Sequence, residues 1–410
     1  VTDTAARNID NPAAHAPGMP VITVIGDGQL ARMLQTAAIE LGASLRVLAA
    51  KPDASAAQVS ADVRLGDYKD LDDVRLAIEG SDAVTFDHEH VPNEHANKLI
   101  DAGFNLQPQP AALIHAQDKL VMREKMKEIS APVPPFAAIE SVEDATAFFD
   151  EVDGAVCLKA RRGGYDGHGV WFPSTREEVE TLVEKLLGDG VPLMAEKKLA
   201  FTRELSAMVA RTPSGEARPW PVVQSRQENG ICVEATAPAP DMSDELRKRC
   251  EVLSVTIAEE LGVAGVLAVE LFEYLDDNRE PTIAVNELAM RPHNTGHWTQ
   301  DGSVTSQFEQ HLRAVLDLPL GDTATLKPVT VMVNTLGADA SPEMPVYQRV
   351  REVMARFPEA KIHLYGKDHR PGRKLGHVNV TGEDLDNTRE IAELAAHFIV
   401  HAEWRDGYSA

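Results

Sequence analysis

Positive charge is in short supply in this chain. Its 40 Lys and Arg face 64 Asp and Glu, which leaves a net charge of −24 at pH 7. That balance argues against a general binder of nucleic acid or of anionic membranes. It leaves room for a local basic pocket that takes an anionic small molecule. Cysteine is scarcer still: Cys157, Cys232 and Cys250 stand far apart, with no CxxC pair. Neither a zinc knuckle nor a disulfide scaffold is indicated, and the odd count fits a reducing cytosol. There is no charged-then-apolar leader and no apolar run long enough to span a bilayer, so the expected location is the cytoplasm. The G-x-x-x-x-G-K-[ST] phosphate loop is absent, as are internal repeats. Aromatics make up only 5% of residues, which leaves few stacking partners for RNA.

A chain of 410 residues exceeds one ordinary core, so two or three domains are expected. Residues 1–19 are polar and aperiodic and read as a loose tail. The apolar run 21–25, the turn Gly26-Asp27-Gly28-Gln29-Leu30 and a helical pattern to about Leu41 form a strand–turn–helix unit. Its helix N-terminus favours an anion. Ala31 stands where a dinucleotide fingerprint has its third glycine, so a nicotinamide site, a phosphate site and a plain turn all remain open.

A helix is predicted over 71–78 and a strand over 83–86. At that strand's end lies Asp87-His88-Glu89-His90, where Glu89 is a candidate ligand group and a transition-metal site is the lesser reading. One helix is predicted over 111–129, carrying Lys119. From 131 to 205 the pattern reads strand, helix, strand, loop, strand, helix, strand, with Glu196 ending a strand at 193–197 and Glu204 opening another. Residues 243–261 form an amphipathic helix between the Ser243 cap and Gly262. Two apolar strands carry Glu270 and Glu287. A helix near 348–357, a strand at 361–365 and a final helix at 385–401 complete the reading.

Four constellations bear chemistry. Lys159, Arg161 and Arg162 lead into Gly163-Gly164-Tyr165-Asp166-Gly167-His168-Gly169, a donor-rich segment that suits either a phosphate cover or a surface hairpin. Glu270 and Glu287 are costly on apolar strands, and two facing carboxylates beside a triphosphate are what magnesium needs. Arg291, His293 and Asn294 offer donors to an oxyanion, and His293 a proton. Lys367, Arg370, Arg373 and Lys374 gather cations in an acidic chain, a pattern suited to a phosphate monoester.

GDGQLARM at 26–33, KARRGGYDGHG at 159–169, NELAMRPHNTGHWT at 286–299 and HLYGKDHRPGRKLGHV at 363–378 together resemble the ATP-grasp superfamily. Within it they are most similar to the N5-carboxyaminoimidazole ribonucleotide synthetase family, over about 21–400. That family more often has glycine at Asp27 and Ala31 and proline at Met290. The resemblance implies an α/β and α+β protein with the ATP-grasp fold. Its parts would be a preATP-grasp, Rossmann-like domain at 20–115, a two-lobed ATP-grasp domain at 116–310 and a small C-terminal domain at 311–410.

By the same resemblance, Lys119 and Lys159 contact ATP phosphates, and Gly164, Gly167, His168 and Gly169 cover them. Glu196, Lys197 and Leu199 border the adenine, largely through backbone groups, Glu204 takes the ribose, Asn286 belongs to the same ATP site, and Glu270 and Glu287 hold Mg2+. Arg291, His293 and Asn294 seat bicarbonate. Tyr165 and Asp166 orient or deprotonate the amine of 5-aminoimidazole ribonucleotide. Gln29, Leu30, Glu89, Lys367, Arg373 and Lys374 hold that nucleotide. The implied reaction is ATP- and bicarbonate-dependent N-carboxylation through carboxyphosphate, in a homodimer with no nucleic-acid or membrane partner. The competing readings are a formate-dependent glycinamide ribonucleotide transformylase, a biotin carboxylase type of enzyme, and a non-catalytic nucleotide-binding regulator. The 363–378 turn speaks against the first two.

Overall fold

The computed structural model describes residues 14–163 and 168–408. Of the predicted tail, 1–13 fall outside the described residues; further in, His15 Nε2 pairs with Asp62 Oδ2 at 2.8 Å. The chain then enters a parallel sheet of β1 (Val21–Ile25), β2 (Ser44–Ala49), β3 (Asp62–Leu65) and β4 (Ala83–Phe86), in the order β3-β2-β1-β4. Helices α1 (Gln29–Glu40), α2 (Leu71–Ile78) and α3 (Asn93–Asp101) accompany it. Apolar side chains leave both sheet faces: Ile22 and Val24 join Leu34 in one core, Ile25 and Phe86 join Leu99 in the other. Two-sided burial of this kind is why β1 and β4 read as unbroken apolar runs. The reading overlooked β3 and α3. In β3, Asp62 and Arg64 are buried with Arg46 in an ion-paired group, so no apolar run marks it. In α3 only Ala96 and Leu99 are buried.

The helix predicted over 111–129 is two helices, α4 (Pro110–Gln117) and α5 (Lys119–Glu128). Asp118 leaves the helical region at φ −127°, ψ 109°, and its carboxylate accepts from Leu120 N and Val121 N. This N-cap starts a second helix where the apolar pattern alone runs on. A four-stranded antiparallel sheet follows, ordered β5-β8-β6-β7. It contains β5 (Phe136–Ile139), β6 (Val156–Ala160), β7 (Val170–Trp171) and β8 (Leu193–Lys197), covered by α6 (Val142–Glu151) and α7 (Arg176–Gly188).

The largest sheet is antiparallel and holds nine strands. In chain order they are β9 (Phe201–Arg211), β10 (Ala217–Pro219), β11 (Val223–Glu228), β12 (Ile231–Ala237), β13 (Gly265–Leu275), β14 (Pro281–Ala289), β15 (Val329–Leu336), β16 (Lys361–Leu364) and β17 (Lys374–Gly382). Its path is β14-β13-β9-β11-β12-β15-β17-β16, with β10 on β9. The β12–β15 pairing carries the sheet across position 310, so the expected boundary there divides the chain and not the sheet. Lys374, read as part of a basic turn, opens β17, a strand not predicted. Helices α8 (Asp244–Glu260), α9 (Thr299–Gly302), α10 (Gln307–Val315), α11 (Val346–Arg356) and α12 (Leu385–His401) complete the chain. Among the described residues no helix is long and apolar enough to cross a membrane.

One buried imidazole joins the first sheet to the large one. His311 Nδ1 accepts from Val266 N at 3.0 Å, which puts its proton on Nε2, 2.7 Å from Thr85 Oγ1. Burial pushes its pKa down to about 3, so it stays neutral. The joint fixes the end of β4 against β13; β13 carries Glu270, and β4 leads directly into Asp87 and Glu89.

Candidate active site

Where the three parts meet, a cavity of about 1030 Å³ opens. Gln29 and Glu89 line it from the first part, Lys119, Lys159, Glu270 and Arg291 from the second, and Lys367 and Arg373 from the third.

At one end lie crossed charges. Glu270 and Glu287 are direct partners in the β13–β14 ladder, beside a bulge at 270/271. Lys119 Nζ bonds Glu287 Oε1 at 2.6 Å. Burial and the neighbouring Glu287 and Glu204 push the Glu270 pKa up. Burial acts on Glu287 the same way, but Lys119 and Lys159 outweigh it and hold that carboxylate below the usual range. The facing carboxylates therefore crowd negative charge that a divalent cation would relieve. Two carboxylates, with remaining ligands from phosphate and water, suit magnesium. Among the described residues no group of three or more His, Cys, Asp or Glu is arranged to hold a metal by itself, so the histidine-metal reading gains no support.

Lys159 is buried and ion-pairs with Glu196; its Nζ also donates to Asn286 Oδ1 at 3.3 Å. Arg123 grips the other Glu196 oxygen through Nη2 at 2.8 Å and Nε at 3.1 Å. Burial opposes ionisation of Glu196, yet Arg123 and Lys159 prevail and hold its pKa at about 2. The Glu196 side chain is thus committed to positioning Lys159, which leaves the backbone of 196–199 for the expected adenine edge. Lys197 and Leu199 line the cavity close by, with Phe172 and Phe272. Glu204 is not among the lining residues; it sits on β9 opposite Ser225 and Phe272, and burial pushes its pKa up to about 6. His168 lines the cavity, and Gly169 turns the chain at φ +73°. Gly164, Tyr165, Asp166 and Gly167 lie outside the described residues.

At the other end, Lys367 bonds Gln29 and Arg291 Nε bonds Glu89 Oε2 at 2.9 Å. Glu89 Oε1 is buried without a partner among the described residues. Leu30, Arg373 and Lys374 also line this end. Burial, aided by Arg373, lowers the Lys367 pKa to about 8. Beneath them Asp87 accepts from Gly28 N at 2.7 Å, and burial pushes its pKa up to about 6. The turn needs glycine at 26: φ is +124°, and a Cβ would lie 1.7 Å from Asp87 Oδ1. The Lys367 turn is fastened from the first part too. Ser55 Oγ donates to Tyr365 O at 2.6 Å and Gln58 Nε2 to Gly366 O at 2.8 Å.

Between the ends stands His293. Its Nε2 is 3.4 Å from Glu270 Oε1 and its Nδ1 is 2.8 Å from Thr295 Oγ1. Burial, with Arg291 and Lys374, pushes its pKa down to about 3, so it is a neutral hydrogen-bonding group. Asn294 Oδ1 accepts from Asn334 at 3.1 Å, while its Nδ2 is buried without a partner among the described residues.

Sequence reasoning missed Arg123, Ser55, Gln58 and Tyr365, and it placed Asp87 at the crevice without its role under the glycine turn. Arg123 falls one helical turn after Lys119, a spacing that could have flagged it. The others depend on partners remote in sequence, which no local pattern encodes.

The comparisons with known proteins agree with this layout. The family model described as the ribonucleotide synthetase preATP-grasp domain matches residues 19–117. The ATP-grasp domain model matches 124–308, and that of the phosphoribosylaminoimidazole carboxylase C-terminal domain matches 330–391. The chain is 62% identical over 410 residues to the N5-carboxyaminoimidazole ribonucleotide synthase of Corynebacterium ammoniagenes, covering 100% of this chain and 99% of that one. It is 50% identical to the Mycobacterium bovis protein of the same name, covering 98% of this chain and 93% of that one. Among solved structures, an ADP complex of an N5-carboxyaminoimidazole ribonucleotide synthetase superposes with TM-score 0.83 at 32% identity, over 94% and 98% of the two chains. The Aspergillus clavatus synthase, in complex with ADP and 5-aminoimidazole ribonucleotide, gives TM-score 0.83 at 28% identity, over 93% and 98%.

Proposed function

The chain belongs to the N5-carboxyaminoimidazole ribonucleotide synthase family, and from that premise we propose that it is the ATP-dependent ligase that carboxylates 5-aminoimidazole ribonucleotide in purine biosynthesis. One observation carries the reading. A single cavity has cations at two separated ends, Lys119 and Lys159 beside a carboxylate pair, and Lys367, Arg373 and Lys374 against the first glycine turn. A simple ATPase has no use for the second set. A ligase that joins an activated carboxyl group to a phosphorylated nucleotide needs both.

The residues take the following roles in that reading. Lys119 and Lys159 bind the β- and γ-phosphates, and Arg123 and Glu196 hold Lys159 at its post. Glu270 and Glu287 would hold Mg2+, which supplies charge neutralisation of the transferring phosphoryl group. A bicarbonate oxygen, seated by Arg291, His293 and Asn294, attacks the γ-phosphorus. The bond to the bridging oxygen breaks and ADP leaves. The nucleotide's exocyclic amine then attacks the carboxyphosphate carbon, and the C–O bond breaks with its electron pair going to inorganic phosphate. The amine proton passes to a base, a role that the family resemblance gives to Asp166 with Tyr165.

Neutral His293 cannot compete with Arg291 for anion charge; it orients by hydrogen bonding. Arg291, paired with Glu89, ties the bicarbonate seat to the nucleotide end, so both substrates are read through one ion pair. Bicarbonate as carboxyl donor, Mg2+, a cytoplasmic location and a homodimer belong to the same proposal.

Product analysis with carbon-labelled bicarbonate and, separately, labelled formate tests it. Label from bicarbonate should enter a nucleotide that depends on aminoimidazole ribonucleotide. Label from formate, or a requirement for biotin, would assign the chain a different ligase chemistry.

A further inference from the structure

We propose that Gln307 is the positioning residue of the His293 loop, and that it acts on carboxylation through His293. The inference rests on the reading of His293 as part of the bicarbonate seat.

Gln307 opens α10 and is fully buried, as are His297 and Thr299. Its Oε1 accepts from His293 N at 2.7 Å, and its Nε2 donates to His293 O at 2.8 Å. These two contacts settle which end of the amide is which, because a backbone N–H only donates and a carbonyl only accepts. Nε2 has one more proton, and it lies 3.0 Å from His297 Nδ1. That ring nitrogen must therefore accept, which places the His297 proton on Nε2. One side chain thus holds both backbone groups of His293 and fixes the tautomer of His297.

The main chain of Gln307 is tied into the same loop. Gln307 N donates to Thr299 Oγ1 at 2.9 Å, and Thr299 Oγ1 donates to Gly296 O at 2.6 Å. The fit is tight: a Cβ at 296 would lie 2.4 Å from Gln307 Oε1 and 2.5 Å from Met208 Cε, so any larger residue there would displace this amide. The segment 293–299 is therefore wrapped around this amide, and His293 Nε2 is brought to 3.4 Å from Glu270 as a result. This accounts for Gly296, His297 and Thr299 in NELAMRPHNTGHWT, which the roles of Arg291, His293 and Asn294 leave unexplained.

A hydrophobic isostere cannot make these bonds, and misplacing a reacting group by an ångström costs on the order of a hundredfold in rate. The test is a double-mutant cycle of Gln307→Leu and His293→Ala. The readouts are KM for bicarbonate, KM for ATP, and ADP released per carboxylated nucleotide formed. Gln307→Leu should raise bicarbonate KM roughly tenfold to a hundredfold and raise the ADP-to-product ratio above one, with ATP KM changed less than about twofold. In the His293→Ala background it should add almost nothing. Full multiplicative loss in that background, or an ATP KM that moves as far as that for bicarbonate, would mean that Gln307 serves the fold alone and overturns the proposal. If His293→Ala by itself leaves bicarbonate KM and the ratio unchanged, the underlying reading of His293 fails, and the single variant reveals it. Gln307→Glu keeps the acceptor for His293 N and loses both donations, so it repeats the cycle should the leucine variant fail to fold. It should show the same split, and an effect on ATP KM equal to that on bicarbonate would refute the proposal equally.

Discussion

At one end of the cavity Glu270 and Glu287 stand opposite each other on adjacent strands, and ladder pairing fixes where they point. At the other end Lys367 stands on a turn held by Ser55 and Gln58, more than 300 residues away in sequence. The first end is pre-arranged by backbone register, and its tension is electrostatic, with half-buried like charges beside Lys119 and the buried Lys159. The second is assembled from loops, and its tension is steric, with glycines accepting carboxylates and amides where a Cβ would sit. Each end should therefore fail in its own way.

The largest effect is expected at the strand-built end. Glu196→Ala leaves Arg123 and Lys159 buried and unpaired, which should cost about 3–5 kcal/mol of stability. Denaturant unfolding with and without MgADP measures it, and an effect under about 1 kcal/mol would show that the triad is not a structural unit. Glu270→Gln should separate function from stability. The folded pKa of Glu270 lies above its unfolded value, so the stability this group contributes at low pH is lost as pH rises through the folded pKa. The glutamine variant should be as stable as the parent or more so at neutral pH, while kcat/KM for ATP falls about a hundredfold. A variant that loses stability and activity together would contradict the like-charge account.

Smaller effects belong to the loop-built end. Gly26→Ala combines a disfavoured φ with overlap on Asp87 and should cost about 2 kcal/mol. KM for the ribonucleotide should rise while that for ATP holds. The smallest effect is expected for Asp87→Asn, which retains an acceptor for Gly28 N. Asp87 has a folded pKa of about 6 against an ordinary value of 3.8, so the parent loses stability as pH rises through that window. The asparagine variant should lack this loss and melt slightly higher than the parent at pH 7. Parallel melting curves from pH 4 to pH 7 would argue that Asp87 does not titrate there.

The same contrast explains what the sequence made legible. Strands with Glu270 and Glu287 announced themselves as apolar runs interrupted by a costly charge, and the residues 286–299 as too polar for a core. Lys119 was legible but its surroundings were not, because the cap at Asp118 breaks a helix that hydrophobic spacing alone continues. Glu196 was placed on the right strand end, but its partner Arg123 lies 73 positions away, so the commitment of its side chain could not be read locally. β17 was hidden because its first residues also form the basic turn, and β3 because its buried residues are charged ones, Asp62 and Arg64, paired with each other and with Arg46 and His15. Local periodicity reports which face of an element is buried. It carries no information on which distant side chain completes a loop, and that is how Gln307 and Gln58 went unseen.

The central claim is that one cavity couples phosphoryl transfer at the strand-built end to nucleotide capture at the loop-built end. ADP formation, measured with ATP, bicarbonate and aminoimidazole ribonucleotide each omitted in turn, tests it most directly. The account predicts that full turnover requires all three, with one ADP per carboxylated nucleotide. Undiminished ADP release without the aminoimidazole ribonucleotide would contradict it.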